Sequence, residues 1–391
     1  MSGAACRVAF ASAAGGAPGS HDLECLYPPL APHAHGWLEA GDGHQVYWEA
    51  CGNPHGAPVL FVHGGPGNGC SADDRRWFDP QRYRIVLFDQ RGAGRSRPAA
   101  RLVANSTAHL VRDMESLRAQ LGIDRWMLFG GAWGATLALA YAQRHPARVR
   151  SMVLHGVFTA TAREQRWLYG VRGAAAHRPE PLPHPGSLEG ITANAPGVAA
   201  DAAAPGRLLD GLSAQLHCGD PDTEHQAALA WVQWEHDLAT LEVPAMAAAG
   251  PAATTDGSEA DTPSPAEAAL TVARIGVHFA RHGFFVGEGE LLLNALRLRS
   301  VPGVIVQGAR DLVTPPAAAL DLHREWVGSV LQFVEGTGHD WHHKAMACQL
   351  VAATNAFGTP TAPPRRRASD PPDDTAPPTR ASPLPRWRNS L

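Results

Sequence analysis

The motif GGAWG at 130–134 has the residue types and spacing of a nucleophile turn. In the G-x-nucleophile-x-G pattern, a tight turn between a strand and a helix exposes a Ser, Cys or Asp for attack on a carbonyl. The central position here holds Ala132, whose methyl group has no lone pair with which to attack. Thr136, a nearby hydroxyl, is expected to point away from this turn. The pattern therefore predicts the position of a nucleophile and, in this chain, its absence.

Two later motifs supply an acid and a base. Asp311 lies in QGARD and His339 lies in EGTGHD, each directly after a short apolar run. The chain order of nucleophile, acid and base matches a triad in which the acid orients the histidine and the histidine accepts the proton of the nucleophile. Each residue alone would be an ordinary polar loop residue. The ordered combination at strand ends favours the catalytic interpretation.

A glycine-rich segment, HGGPG at 63–67, follows another apolar run. In this position such a loop supplies a backbone N–H group to a developing oxyanion, and the residue after the nucleophile supplies a second. The candidate donors are therefore the backbone N–H groups of Gly64 or Gly65 and of Trp133.

The elements that would position these motifs alternate between strand and helix. Short apolar runs predict buried strands at 59–63, 84–89, 126–130, 149–155, 303–307 and 330–335. A helix of small residues is predicted at 135–143. Short strands buried on both faces, with helices between them, are typical of a mostly parallel α/β sheet. In DQRGAGRS, after the second run, Arg91 and Arg95 are expected to be ion-pair partners.

The middle of the chain lacks this alternation and shows helical patterns at 224–238 and 265–278. We interpret it as a helical cap, with low-complexity insertions, inside one α/β domain. Both ends of the chain have compositions typical of disorder. The predicted division is an N-terminal extension at 1–25, a first core part at 26–157, the cap at 158–295, a second core part at 296–358, and a disordered Pro/Arg-rich tail at 359–391.

Composition excludes several classes of protein. Hydrophobic residues make up 45% of the chain and charged residues 18%, which is ordinary for a globular protein. A net charge of −4 favours neither nucleic acid nor a membrane as partner. The chain contains neither an apolar run of about 18 residues nor the Cys/His spacing of a zinc site, and we expect that residues 1–20 are not a secretory signal. We therefore expect a cytoplasmic protein with reduced thiols and no metal.

Longer segments around these motifs resemble the proline iminopeptidases, which are prolyl aminopeptidases of the α/β-hydrolase fold. The similar segments include LYPPLAPHAHGWLEAGDGHQVYWEACGNPHGAPVLFVHGGPG, DQRGAGRSRP, GGAWGATLALAYAQRHP, HGVF, WVQWE and ARIGVHF. The resemblance covers about residues 26–355 and implies release of N-terminal proline from a peptide or small amide by acyl transfer through a serine, without a cofactor. It also implies that Glu235 binds the proline nitrogen, while Trp231 and Trp234 belong to the core or wall the proline slot.

Two positions depart from the pattern of that family. Ala132 stands where the family has Ser, and Gly276 stands where it usually has a second Glu that contacts the amine. Glu288 or Glu290 is a candidate replacement for that carboxylate. Either natural divergence or a deliberate substitution explains Ala132. Because Gly276 also departs from the family pattern, natural divergence is favoured.

Three functions are consistent with the sequence. The first is a prolyl aminopeptidase with impaired hydrolysis. The second is a catalytically inactive homologue that binds peptides or small molecules. The third is a hydrolase of another substrate class, such as esters or epoxides, although epoxide chemistry requires an Asp where Ala132 stands.

Overall fold

An eight-stranded sheet with helices on both faces organises the chain in this computed structural model, which describes residues 25–170, 173–174, 205–240 and 264–358. The strands are β1 (Ala34–Gly41), β2 (His44–Gly52), β3 (Ala57–Val62), β4 (Tyr83–Phe88), β5 (Trp126–Ala132), β6 (Val149–Val157), β7 (Gly303–Gly308) and β8 (Ser329–Val334). Their order in the sheet is β1-β2-β4-β3-β5-β6-β7-β8. The strands from β3 to β8 are mutually parallel, whereas β2 pairs antiparallel with β1 and β4. The predicted mostly parallel α/β sheet is confirmed.

Helices connect these strands and fill the segment between β6 and β7. They are α1 (Thr107–Gln120), α2 (Trp133–Arg144), α3 (Ala162–Tyr169), α4 (Pro205–Gln215), α5 (Pro221–Thr240), α6 (Pro265–Arg281), α7 (Glu290–Leu293), α8 (Pro316–Glu325) and α9 (Lys344–Phe357). The helical patterns of the middle segment fall within α5 and α6, which pack on each other. A capping box between Ser264 and Glu267 fixes the start of α6.

The sequence analysis missed the β1–β2 hairpin and α1. Residues of β1 alternate between half-buried and exposed over most of its length, so this edge strand has no continuous apolar run. The predicted strands β3 to β7 are buried on both faces, whereas the predicted edge strand β8 exposes Val330 and Phe333. Leu60 and Val86 pack on one face of the sheet, and Val59 and Phe61 pack on the other. Because these strands are parallel, the loops that carry the motifs meet at their carboxyl ends.

Two arginines of the DQRGAGRS segment form ion pairs, as predicted, and the pair of Arg91 is buried. Nε of Arg91 lies 2.6 Å from a carboxylate oxygen of Asp113. Nε of Arg95 lies 2.7 Å from Asp89, and its Nη1 lies 2.8 Å from Glu49. These pairs attach the loop after β4 to its surroundings, so the arginines have a structural role.

The prediction of reduced thiols is wrong for one pair of cysteines. Cys25 and Cys348 form a disulfide with their Cα atoms 5.1 Å apart, across a sequence separation of 323 residues. No local spacing signals a pair so distant in the chain, which is why sequence reasoning missed it. Cys51 and Cys70 are free thiols held in the interior or partly covered.

Several predictions lie outside the described residues. They include the extension at 1–24, the tail at 359–391 and most of the low-complexity stretches of the middle segment. The division into core and cap and the cytoplasmic location stay predictions. Within the described ranges, no helix combines the length and apolarity needed to cross a bilayer.

Candidate active site

The turn between β5 and α2 holds Ala132 in a strained backbone conformation. Its φ is 49° and its ψ is −118°, a combination that residues with a side chain rarely adopt and that costs about 1–3 kcal/mol. The neighbouring glycines are required by close contacts. A Cβ atom on Gly131 would lie 1.9 Å from the His155 ring, and one on Gly134 would lie 2.2 Å from the Val62 carbonyl oxygen. The chain therefore keeps the backbone of a nucleophile turn around a residue that has no nucleophile.

Asp311 and His339 meet at the ends of two adjacent strands. Oδ2 of Asp311 lies 2.9 Å from Nδ1 of His339. The backbone N–H groups of Val313 and Thr314 donate to Oδ1 of Asp311 at 2.9 and 2.8 Å, and the Thr314 hydroxyl donates to Oδ2 at 2.8 Å. These bonds hold the carboxylate as an acceptor for the Nδ1–H group of the imidazole. Thr314 is a part of this arrangement that the sequence analysis missed.

The position of the His339 ring suits a general base at the turn. Burial opposes its charged form, but the Asp311 carboxylate outweighs that effect and raises the pKa of His339. With Nδ1–H directed at Asp311, Nε2 is left as the proton acceptor. A Cβ atom on Gly156 would lie 3.1 Å from Cε1 of His339. The next residue along β6, Val157, pairs with Ala132, so the imidazole lies beside the turn.

Stacked rings hold the loop that carries His339. Trp341 lies with its ring centroid 4.6 Å from that of Trp77 and 4.8 Å from that of His155. The same His155 ring fills the space beside Gly131. Burial, reinforced by nearby histidines, lowers the pKa of His155 to about 3, so this ring is neutral at physiological pH. The sequence analysis missed these contacts because they join residues that are distant in the chain.

The predicted oxyanion donors surround the same turn. A Cβ atom on Gly64 would lie 3.7 Å from the Gly131 carbonyl oxygen, so the loop of Gly64 and Gly65 approaches the turn from β3. Trp133 is the first residue of α2. Its backbone N–H group is therefore among those at a helix start that have no acceptor within the helix. Donation from these groups to an oxyanion stays a prediction.

An acidic side chain lies among aromatic rings on the side of α5. The ring centroids of Trp231 and Trp234 are 5.5 Å apart, and Tyr169 lies 5.7 Å from Trp234. Glu235 is half-buried, whereas both tryptophans are buried. Burial raises the pKa of Glu235 to about 8, and the Trp231 indole and the charge of His339 oppose this rise. The carboxyl group is thus close enough to the candidate base for each to affect the pKa of the other.

Gly276 contributes no carboxylate and lies against an indole. A Cβ atom on Gly276 would be 3.1 Å from Nε1 of Trp231, so this ring occupies the adjacent space. A role of Glu288 or Glu290 as the replacement carboxylate stays a prediction, and both side chains have other partners. Glu288 accepts a hydrogen bond from the backbone N–H of Ala162 at 2.8 Å, and Glu290 accepts one from the backbone N–H three residues before it at 2.9 Å.

Other candidates for a nucleophile or a metal ligand do not converge here. The Thr136 hydroxyl is buried and donates to the Phe158 carbonyl oxygen at 2.6 Å, with the Ala132 carbonyl oxygen 3.4 Å away, so backbone acceptors hold it. In the portion of the chain that the structure describes, no three His, Cys, Asp or Glu side chains are grouped to hold a metal ion.

Known proteins are similar to this chain in fold and in amino-acid sequence. A family model described as alpha/beta hydrolase fold matches residues 57–173. A proline iminopeptidase of Xylella fastidiosa (strain 9a5c) is 41% identical over 336 residues, which cover 86% of this chain and all of that protein. One from Arabidopsis thaliana is 40% identical over 329 residues, covering 84% of this chain and 80% of that protein. The crystal structure of an alpha/beta hydrolase enzyme from a Medee basin deep-sea metagenome library matches with a TM-score of 0.52 at 14% identity, covering 84% of this chain and 100% of that one, a likeness of fold alone.

Proposed function

The chain belongs to the proline iminopeptidase family of α/β hydrolases, and from this premise we propose that it binds peptides or small amides with an N-terminal proline but hydrolyses them with severe impairment. One observation carries the proposal. Ala132 keeps the strained backbone of a nucleophile turn, with the Asp311–His339 pair beside it, yet has no oxygen to attack with.

The chemistry that the arrangement supports is acyl transfer. With a serine at position 132, Nε2 of His339 would accept the hydroxyl proton while the oxygen attacks the scissile carbonyl carbon. Asp311 would stabilise the imidazolium that results, and the N–H groups of Gly65 and Trp133 would bind the oxyanion. His339 would then protonate the leaving amine, and water would release proline from the acyl-enzyme by the same route.

Without the attacking oxygen, only the oxyanion site and substrate binding can still contribute to catalysis. Loss of a triad nucleophile lowers kcat by about 10⁶-fold, while an intact oxyanion site and substrate binding retain about 10³- to 10⁴-fold catalysis over water. We therefore expect Ala132 to leave slow turnover and largely intact binding.

Recognition of proline is proposed to depend on Glu235 and the rings beside it. A carboxylate at the end of an apolar slot can receive the secondary ammonium of an N-terminal proline, and Trp234 can wall the slot. Binding of this cation favours the ionised form of Glu235, whose pKa is about 8 in the free protein. At pH 7 the binding reaction should therefore release close to one proton per site.

A second candidate function is that of an inactive homologue that binds peptides or small molecules. The contact between Gly276 and Trp231 favours it, because the space beside Gly276 is filled by an indole and offers no second acceptor for the amine. In that case the pocket has lost proline recognition as well as the nucleophile.

Hydrolysis by the chain and by its Ala132→Ser variant, compared side by side, separates these candidates. The substrates are a chromogenic prolyl anilide, the alanyl anilide and a prolyl ester. Ala135→Ser is a matched control, because it adds the same hydroxyl three residues further along α2. We expect Ala132→Ser alone to gain turnover of the prolyl anilide.

Each other outcome points elsewhere. A folded Ala132→Ser variant that turns over none of the three substrates favours the inactive homologue. Turnover of esters without turnover of prolyl anilides indicates a hydrolase of another substrate class.

A further inference from the structure

Gln90, two residues after the end of β4, connects the two segments that are predicted to supply oxyanion donors. Its side-chain Oε1 accepts a hydrogen bond from Nε1 of Trp133 at 2.8 Å, and its Nε2 donates to the His63 carbonyl oxygen at 2.9 Å. Its backbone N–H donates to Nε2 of His63 at 3.0 Å. All three bonds are buried, and Gln90 is 3% exposed. One residue therefore ties the glycine-rich loop to the residue after Ala132.

The bonds of His63 determine where a candidate donor points. Because Nε2 accepts from Gln90, Nδ1 carries the proton and donates to the Gly64 carbonyl oxygen at 2.8 Å. That carbonyl and the N–H group of Gly65 belong to the same trans peptide plane, so they point in opposite directions. Fixing the Gly64 carbonyl toward His63 thus directs the Gly65 N–H away from His63. Burial lowers the pKa of His63, which keeps the ring neutral and this tautomer in place.

The other bond of Gln90 fixes the start of α2. The Trp133 ring is 1% exposed and packs edge-on against Phe279, with ring centroids 4.9 Å apart. Only an amide suits the space between the two partners, because it presents an acceptor to the indole N–H and a donor to the His63 carbonyl. A carboxylate would place an acceptor against that carbonyl oxygen.

We infer that Gln90 is a positioning residue that sets the separation and direction of the Gly65 and Trp133 backbone N–H groups. The inference rests on the proposed function, since these groups matter only if the site stabilises an oxyanion. A displacement of about 1 Å at such a site costs about 100-fold in rate. Gln90 itself touches no reacting atom.

The test uses the full chain carrying Ala132→Ser, and compares it with the same chain carrying Gln90→Met in addition. Methionine keeps the length and volume of the side chain but removes both of its hydrogen bonds. The first readout is the rate of covalent labelling by a fluorophosphonate, which needs the serine, the base and the oxyanion donors but no proline recognition. The second is kcat and KM for a prolyl anilide. We expect labelling and kcat to fall about 10- to 100-fold, with KM within about threefold.

Gln143→Met is the matched control. Gln143 is another buried glutamine, on α2, and its Nε2 donates to the Leu291 carbonyl oxygen at 2.6 Å. Because it lies outside the candidate site, its loss should change labelling by less than twofold. Equal effects of the two substitutions, or a folded Gln90→Met protein that labels within twofold of its parent, would overturn the inference.

Two further variants keep the inference testable if Gln90→Met does not fold. Gln90→Glu accepts from Trp133 but needs a proton to donate to His63, so its rate relative to the parent should rise as the pH falls. Trp133→Phe removes the indole bond to Gln90 and nothing else of the Gln90 network, so by itself it should lower the labelling rate of the Ala132→Ser chain. A pH-independent ratio for Gln90→Glu, or a folded Trp133→Phe variant that labels within twofold of its parent, would contradict the inference.

The labelling readout separates the two proposals. If Ala132→Ser is labelled but does not cleave prolyl anilide, the proposed function fails, and the labelling rates still decide the role of Gln90. If Ala132→Ser is folded and is not labelled at all, both proposals are wrong, because correctly placed donors and base would activate the serine.

Discussion

Replacing Glu235 with Gln should make the folded protein more stable at alkaline pH. The pKa of Glu235 is about 8 in the folded protein, mainly because of burial, and 4.5 is the ordinary value that applies to the unfolded chain. Below pH 4.5 the carboxyl is protonated in both states and costs nothing. Between these two pKa values the unfolded state ionises while the folded state stays protonated, so the stability falls as the pH rises. Glutamine keeps the shape and does not titrate.

The size of the effect follows from the two pKa values. Each tenfold difference in acid dissociation constant corresponds to about 1.36 kcal/mol, so pKa values of 4.5 and about 8 give a ceiling of about 5 kcal/mol. Glu235 is half-buried, and water that reaches the carboxyl reduces this ceiling. We therefore expect Glu235→Gln to raise the free energy of unfolding by about 1–3 kcal/mol at pH 9 relative to its effect at pH 4.

Urea unfolding of the chain and the variant at several pH values between 4 and 9 measures this difference. Glu115→Gln is a control of opposite sign. Hydrogen bonds from Arg118 lower the pKa of Glu115, so its carboxylate adds stability that is present above pH 4.5 and is lost as the pH falls. If Glu235→Gln changes the free energy of unfolding equally at pH 4 and pH 9, the pKa of Glu235 is not raised in the folded protein.

Three other perturbations have definite outcomes. Cys348→Ser removes the disulfide and should lower the free energy of unfolding by up to about 5 kcal/mol in urea titrations, and the variant should be insensitive to reductant. Asp311→Asn should lower the pKa of His339, measured by NMR titration of the ring, and should lower kcat of the Ala132→Ser enzyme by about 10⁴-fold. Gly131→Ala should lower the melting temperature, with a loss of about 1–3 kcal/mol, because its methyl group would overlap the His155 ring.

Local sequence patterns predicted the elements that carry the site. The apolar run at 126–130 and the glycines after it correspond to β5, which extends over Trp126–Ala132. Asp311 and His339, predicted as an acid and a base from their order and their place after strands, are hydrogen-bonded. The run of β5 was recognisable because buried parallel strands have continuous apolar sequences. The closeness of Asp311 and His339 could be predicted because the carboxyl ends of parallel strands meet at one edge of the sheet, and their catalytic roles stay predictions.

Two of the missed features, the stack of Trp341 on His155 and the bonds of Gln90 to both donor segments, join residues that are distant in the chain and leave no periodic signal. Thr314 lies only three residues from Asp311, but no sequence pattern marks this threonine as a donor to the carboxylate. The sequence offers Glu288 as a candidate replacement for the missing carboxylate, and it does not reveal that this side chain accepts a hydrogen bond from the backbone N–H of Ala162.

We propose that the site of this chain lacks only the nucleophilic oxygen at position 132 and retains a functional base, orienting acid and oxyanion donors. The most direct test is the ratio of kcat/KM for a chromogenic prolyl anilide between the Ala132→Ser variant and the chain itself. We expect a ratio of about 10³ or more, and we expect most of that gain to be lost when His339→Ala is added. A ratio near one, with both proteins folded, would contradict this proposal.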